Sequence, residues 1–303
     1  MKFLVILICL TINYVWLKDF DRFDDSWFFR FRSRIEGLAA KAVSKGSRAW
    51  LLEIVAIYAI PVFCLTALLF VSGDRLFGLL TMMVHVLILL VAFDRTQPGR
   101  LASEFLEKWK AGDMEDCILY LQQELPTSVM PNLAGKAVLS KYFSKQLVYR
   151  CFEKMFVMFF WYMITGPIGI LICYVSYQLR DSHKEEQLET QVNLVAMIIE
   201  ILEWIPIRLL AIAFCLAGNF EKCFENVKRS FWNFRGEMEN PELLYGYAAC
   251  ALSGMDTADK TEAEGDYSPE VAEIEALLGL LERSQAIWLS VLALITILGI
   301  RLG

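Results

Sequence analysis

Histidine is almost missing from this chain: 303 residues carry two, His85 and His183. A zinc site would need carboxylates or thiols for most of its ligands. The eight cysteines, at 9, 64, 117, 151, 173, 215, 223 and 250, form no C-x-x-C pair and mostly fall within or beside apolar segments. There they act as small hydrophobes, so neither a thiolate metal site nor a disulfide framework is implied. Charge is scarce as well, at 21% of residues, and no Lys/Arg-rich run stands out against the net charge of −6. A nucleic-acid partner is therefore not expected. The phosphate loop G-x-x-x-x-G-K-[ST], the elbow G-x-S-x-G, the zinc motif H-E-x-x-H and the dinucleotide motif G-x-G-x-x-G are all absent. Soluble-type hydrolase or nucleotidase chemistry has no support in these residues, and no catalytic residue, metal or cofactor is expected.

What the chain has in excess is apolar sequence: 56% of residues are hydrophobic, with a mean hydropathy of +0.45. Such a composition belongs to a membrane protein rather than to a soluble domain of this length. The expected fold is all-α, a polytopic helical membrane protein with five or six membrane segments and helical cytoplasmic loops. The segments read as 3–17 (short or re-entrant), 49–72, 76–93, 152–177, 192–218 and 286–300. The pair 49–72 and 76–93 forms a helical hairpin through the tight turn Gly73-Asp74-Arg75, and Pro61 marks a kink site in its first arm. Stretches 18–48 and 94–151 hold eight Lys/Arg each and 219–285 holds six, whereas 178–191 holds two. The positive-inside bias places the three long stretches in the cytoplasm.

Those cytoplasmic stretches carry helices of their own. In 94–151, LASEFLEKWKAGDMEDCILYLQQEL has apolar residues at helical spacing on either side of Gly112, which reads as helix–turn–helix. In 219–252, FEKCFENVKRSFWNFR has the pattern of an interfacial amphipathic helix, and Asn240-Pro241 opens a further helix with N-cap and N1 chemistry. The stretch 253–272 reads as an acidic flexible linker. No internal repeat is visible, and the chain is treated as one integral-membrane domain, 1–303.

The segment EILEWIPIRL, 200–209, breaks the rules for lipid-facing helices. Glu200, Trp204 and Arg208 follow i, i+4, i+8 and share one helix face, with Glu203 flanking the same stripe. A carboxylate and a guanidinium held together can neutralise each other, while either alone near mid-bilayer costs roughly 2.5–3.5 kcal/mol. Pro206 removes the amide that would bond the carbonyl of residue 202, so a kink or opening is expected there, and the freed carbonyl must find a protein or water donor. Two readings are open: an ion pair that locks helices together, or an inward polar site for a ligand or partner built from Glu200, Glu203, Trp204 and Arg208. Gly166, Pro167 and Gly169 break segment 152–177 midway, where a small surface suits close helix packing. His85 and Thr81 share a face of the third segment, and a hydrogen-bonded core histidine is the expectation.

Three blocks resemble the AmpE family of inner-membrane regulatory proteins in β-lactamase-regulating systems. FVMFFWYMITGPIGILICYVSYQL (156–179) is similar to the family's F-W-…-G-P-x-G-…-L block, and EWIPIRLLAIAFCLAGNFEKCF (203–224) to its D-W-x-P-x-R-L block. LEKWKAGDMEDC (106–117) is similar to the family's segment of two helices joined by a Gly-Asp turn. Glu203 stands where the family has Asp, and Ile207 where it has Ala, as in a divergent paralogue. The resemblance implies a multi-pass protein of the bacterial inner membrane: a non-catalytic sensor with the lipid bilayer around it, a membrane or cytoplasmic protein partner, and homo-oligomers among its states. The Glu203-x-x-Pro206-x-Arg208 element also resembles the CobD/CbiB membrane enzymes, which use ATP to form an amide bond; that alternative makes the same side chains anion ligands. A transporter is the third reading, though the two halves show no matching repeat.

Overall fold

The computed structural model describes residues 2–15, 26–42, 49–72, 78–92, 98–125, 135–182, 189–231, 239–253 and 268–298. The turn at 73–75, the acidic stretch at 254–267 and the loop at 183–188 lie outside the described residues. Every regular element described is helical. In chain order they are α1 (Lys2–Val15), α2 (Ser26–Ala42), α3 (Ala49–Ser72), α4 (Leu79–Ala92), α5 (Pro98–Ala111), α6 (Met114–Glu124) and α7 (Lys136–Cys151). A π-helical turn, Phe152–Val157, leads into α8 (Met158–Thr165), followed by α9 (Pro167–Asp181), α10 (Glu189–Ala217), α11 (Phe220–Ser230), α12 (Asn240–Leu252) and α13 (Pro269–Ile297).

Among the described residues, two helical runs are long and apolar enough to cross a bilayer, Trp50–Ser72 and Pro269–Ile297. At 1.5 Å per residue, either exceeds a hydrocarbon core of about 30 Å. Lys2–Ile12 and Leu79–Ala92 are apolar but shorter. The count is thus smaller than the five or six segments expected from hydropathy. Segment 152–177 is not one rod: it is divided among the π-helical turn, α8 and α9, because Gly166 takes φ +71° and Pro167 starts a new helix at its first turn. The last segment, expected at 286–300, is the second half of a helix that begins at Pro269, so the end of the expected linker is helical.

The chain divides into two compact units, with the boundary inside α10 between Leu202 and Glu203. One unit contains α1–α4, α8, α9 and the first half of α10. Helices α3 and α4 both pack on α9, and α1 packs on α4 and α8. Lys2 Nζ donates to the carbonyls of Met163 (2.9 Å) and Ile164 (3.3 Å), placing a cation at the negative end of α8 just before the Gly166 break. His85 Nδ1 lies 3.0 Å from Tyr162 Oη with the rings edge to face, which is the ordinary state of a core histidine. At the Gly169 position a Cβ would collide with the Thr165 hydroxyl, so the break itself demands glycine there.

The other unit contains α5–α7, the second half of α10, and α11–α13. The α5–α6 hairpin turns at Gly112, φ +79°, where glycine relieves the left-handed strain. Asp113 then caps α6 by accepting from the amides of Glu115 (3.1 Å) and Asp116 (3.0 Å). The core of this unit joins α5, α6, α7 and α13, and includes Phe105, Trp109, Leu121, Leu139, Phe143 and Ile274. Phe105 and Phe143 stack with centroids 3.8 Å apart and planes 5° from parallel. On its surface, Lys145 pairs with Glu242 at 2.8 Å and holds that exposed carboxyl below the usual carboxylate range. This contribution is present above the ordinary value and disappears as pH falls through the lowered one. Because Phe143 is fully buried in the stack, Phe143→Ala is expected to destabilise this unit by about 3–5 kcal/mol in denaturant unfolding; a loss under ~1 kcal/mol would mean that the core is not organised around it.

Candidate functional site

The second half of α10 places two charged side chains out of solvent: Glu203 at 0% exposure and Arg208 at 6%. Burial of this kind requires hydrogen-bond partners, and each has them. Tyr149 Oη, on α7, donates to Glu203 Oε1 at 3.0 Å and Oε2 at 3.2 Å. Asn240 Nδ2, in the first turn of α12, donates to Oε2 at 2.6 Å. One carboxylate therefore joins α7, α10 and α12. Arg208 Nε donates to the carbonyl of Phe231 at 2.8 Å and its Nη1 to the carbonyl of Trp204 at 2.8 Å. Its guanidinium also lies over the Trp204 ring, 4.3 Å from the centroid. Phe231 is the C-cap of α11, so Arg208 sits at the negative end of that helix.

The structure brings Trp204 and Arg208 together as their i, i+4 spacing implies. It does not give Glu200 the matching role. Glu200 is half-buried and has no hydrogen bond or ion pair among the described residues. Two turns separate positions 200 and 208, about 12 Å along a helix axis, and the bonds described for Arg208 run to backbone carbonyls. The expected neutralisation of Arg208 by Glu200 is thus replaced by carbonyl and ring contacts.

Pro206 lies inside α10, which continues through it from Glu189 to Ala217. The bond that proline removes belongs to the carbonyl of Leu202. That carbonyl accepts instead from Trp161 Nε1 at 2.9 Å, so an indole donor supplies what the missing amide withholds. An unmet buried carbonyl would cost about 1–3 kcal/mol, enough to explain why a tryptophan is held there. The chain breaks instead at Gly166 and Pro167.

Helices α11 and α12 complete the surroundings. Ser230 Oγ and Tyr247 Oη are 2.6 Å apart at one end of the pair. At the other, Asn219 donates through its backbone to the carbonyl of Ala251 (2.7 Å) and through Nδ2 to that of Ser253 (3.0 Å). Burial pushes the Tyr247 hydroxyl above its ordinary value, opposed by Ser230 and by Arg208. Tyr245 Oη donates to Glu273 Oε1 of α13 at 2.6 Å. Among the described residues no group of His, Cys, Asp and Glu is placed to hold a metal ion.

Sequence reasoning overlooked Tyr149 and Asn240. The Asn240-Pro241 pattern predicts an N-cap at Asn240, but the cap position is Glu239, and the Asn240 side chain is turned to Glu203. A usable signal existed in the α10 carboxylate itself, whose burial requires donors from other helices; spacing alone does not name them.

Among the described residues, fold and site together define an all-helical protein, with buried charges fixed on one helix and two helices of membrane-span length. A family model described as the regulatory signalling modulator protein AmpE matches residues 7–300, nearly the whole chain. The chain belongs to the AmpE family. No curated protein and no solved structure matches it.

Removing one donor leaves the buried carboxylate short of a partner. Tyr149→Phe is expected to lower unfolding stability by about 1.5–3 kcal/mol, with Asn240→Ala acting in the same direction and the two coupled in a double-mutant cycle. Additive effects under ~0.5 kcal/mol each would show that Glu203 does not depend on them.

Proposed function

We propose that this chain is a non-catalytic modulator embedded in the bacterial inner membrane, in which α10 relays a cell-envelope or β-lactam signal to the helices bound to it. Membership of the AmpE family supports the regulatory part. The observation that carries the mechanism is the commitment of Glu203 to α7 and α12 and of Arg208 to the end of α11. A displacement of α10 cannot leave those three helices in place without breaking charged hydrogen bonds. The side chains Glu203, Trp204 and Arg208 are thus the site through which ligand or partner binding is read, with Pro206 and the Gly166, Pro167 and Gly169 break shaping the helices nearby.

Membrane embedding is supported by apolar side chains left on helix surfaces. Phe63 and Phe70 of α3 are 74% and 88% exposed. On α10, Met197, Ile201, Ile205, Leu209, Ile212 and Leu216 form one exposed apolar stripe at i, i+4 and i+3 spacing. Such a stripe opposite buried Glu203 is the arrangement that puts lipid on one side of a helix and protein on the other. The basic residues of 94–151 and 219–252 favour a cytoplasmic location for these segments.

The amide-forming alternative would need Glu203 and Arg208 as ligands of a substrate. Both are already engaged with protein groups, which favours the regulatory reading over the enzymatic one.

The test is a strain lacking its own copy, complemented with this chain and read through β-lactamase induction under a β-lactam. Arg208→Ala is expected to abolish the response while the protein stays in the carbonate-resistant membrane fraction at its normal level. A full response from well-expressed Arg208→Ala protein would sink the relay, and release of the wild-type chain by carbonate would sink the membrane placement.

A further inference from the structure

Helix α2 is one of the few described elements whose surface mixes exposed aromatic and basic side chains. Its orientation is fixed from within. Arg32, 2% exposed, donates through Nε to Glu36 Oε1 at 2.8 Å and through Nη1 to the carbonyl and the hydroxyl of Ser182 at 2.8 and 2.6 Å. Ser182 is the C-cap of α9, so the guanidinium closes the end of that helix. Phe28 and Ile35 are buried beside it, and Trp27 stacks on Tyr174 of α9 with planes 5° from parallel. These contacts prevent α2 from rotating about its own axis.

The surface that this leaves outward holds Trp27 (39% exposed) and Leu38 (64%) with Arg30 and Arg34 exposed between them, and Phe29 (46%) on the opposite flank. Positions 27, 30, 34 and 38 follow one another at i+3, i+4 and i+4, a single helical stripe. Apart from the internal Arg32–Glu36 pair, every charged residue of α2 is basic. That is unusual in a chain of net charge −6. The helix packs against α3, whose length and composition are those of a membrane span.

We infer that α2 lies in the headgroup layer and docks on anionic phospholipid, with Arg30 and Arg34 at lipid phosphates and Trp27 and Leu38 at the acyl boundary. Lipid is favoured over a protein partner because the exposed charges of α2 are all basic and the helix packs on α3, a run long and apolar enough to cross a bilayer. Guanidinium groups pair with phosphate in a fork geometry that ammonium groups lack. The neighbouring span sets α2 beside the surface it would enter. The inference rests on the membrane reading proposed above.

The test uses the full chain in vesicles of phosphatidylcholine alone or mixed with phosphatidylglycerol. In a Cys64→Ser, Cys250→Ser background, Leu38→Cys carries a nitroxide label whose depth is measured by oxygen against nickel-chelate accessibility. The label is expected at acyl-boundary depth, and brominated phosphatidylglycerol is expected to be enriched around a fluorophore at the same position. Arg30→Gln with Arg34→Gln should reduce that enrichment roughly tenfold or more, since each basic residue near the surface contributes about one kcal/mol. A label that stays in water in both lipids, or an anionic-lipid preference unchanged in the double variant, overturns the inference while leaving the membrane reading intact. Cross-linking of Leu38→Cys to a second protein in place of lipid also overturns it. A chain that does not float with either vesicle overturns both.

Discussion

A carboxylate with no solvent cannot stand alone, and Glu203 is such a carboxylate. Its two described donors come from Tyr149, fifty-four residues earlier, and Asn240, thirty-seven residues later. Three helices distant in sequence are therefore required to meet at one point. Replacing the group by a well-fitted apolar side chain could be nearly neutral for stability, whereas removing one donor is not. A polar knot of this kind contributes specificity of assembly more than it contributes net free energy. The neighbouring Arg208 does the same for α11, using the carbonyl at the end of that helix. Together these two residues tie α7, α11 and α12 to α10.

The first half of the same helix shows a different compensation. A proline in a helix normally leaves a carbonyl unanswered and often bends the rod. Here Trp161 reaches the carbonyl of Leu202 from α8, and the helical hydrogen-bonding run is resumed beyond Pro206. The side chain that answers the defect belongs to the helix just before the Gly166 break.

Some of this was legible in the residues alone. The all-helical class follows from apolar runs without strand alternation, and the kinship follows from the two blocks around Gly166-Pro167 and Glu203-x-x-Pro206-x-Arg208. The α5–α6 hairpin lies where helical spacing and Gly112 place it. Periodicity also put Trp204 and Arg208 on one face, because the separation of a single turn is an intrinsic property of the helix. What spacing could not yield was the identity of the partners. Glu200 and Arg208 fit a stripe, but a pairing over two turns competes with carbonyls and an indole that lie nearer to the guanidinium. Tyr149, Asn240 and Trp161 became visible only when helices far apart in sequence were brought together. The break of 152–177 at Gly166 and Pro167, by contrast, lies where those residue types place it.

The junction of α10 and α11 shows how motion could pass beyond this helix. A Cβ on Gly218 would meet the backbone carbonyl of Ala251, whose oxygen also receives the amide of Asn219. Main chain lies directly on main chain there, with no side chain between them to act as a cushion. A joint of that construction has almost no play. Change of rotamer, protonation or side-chain length cannot loosen it, and so the α11–α12 hairpin must travel with the end of α10 as a lever travels with its axle.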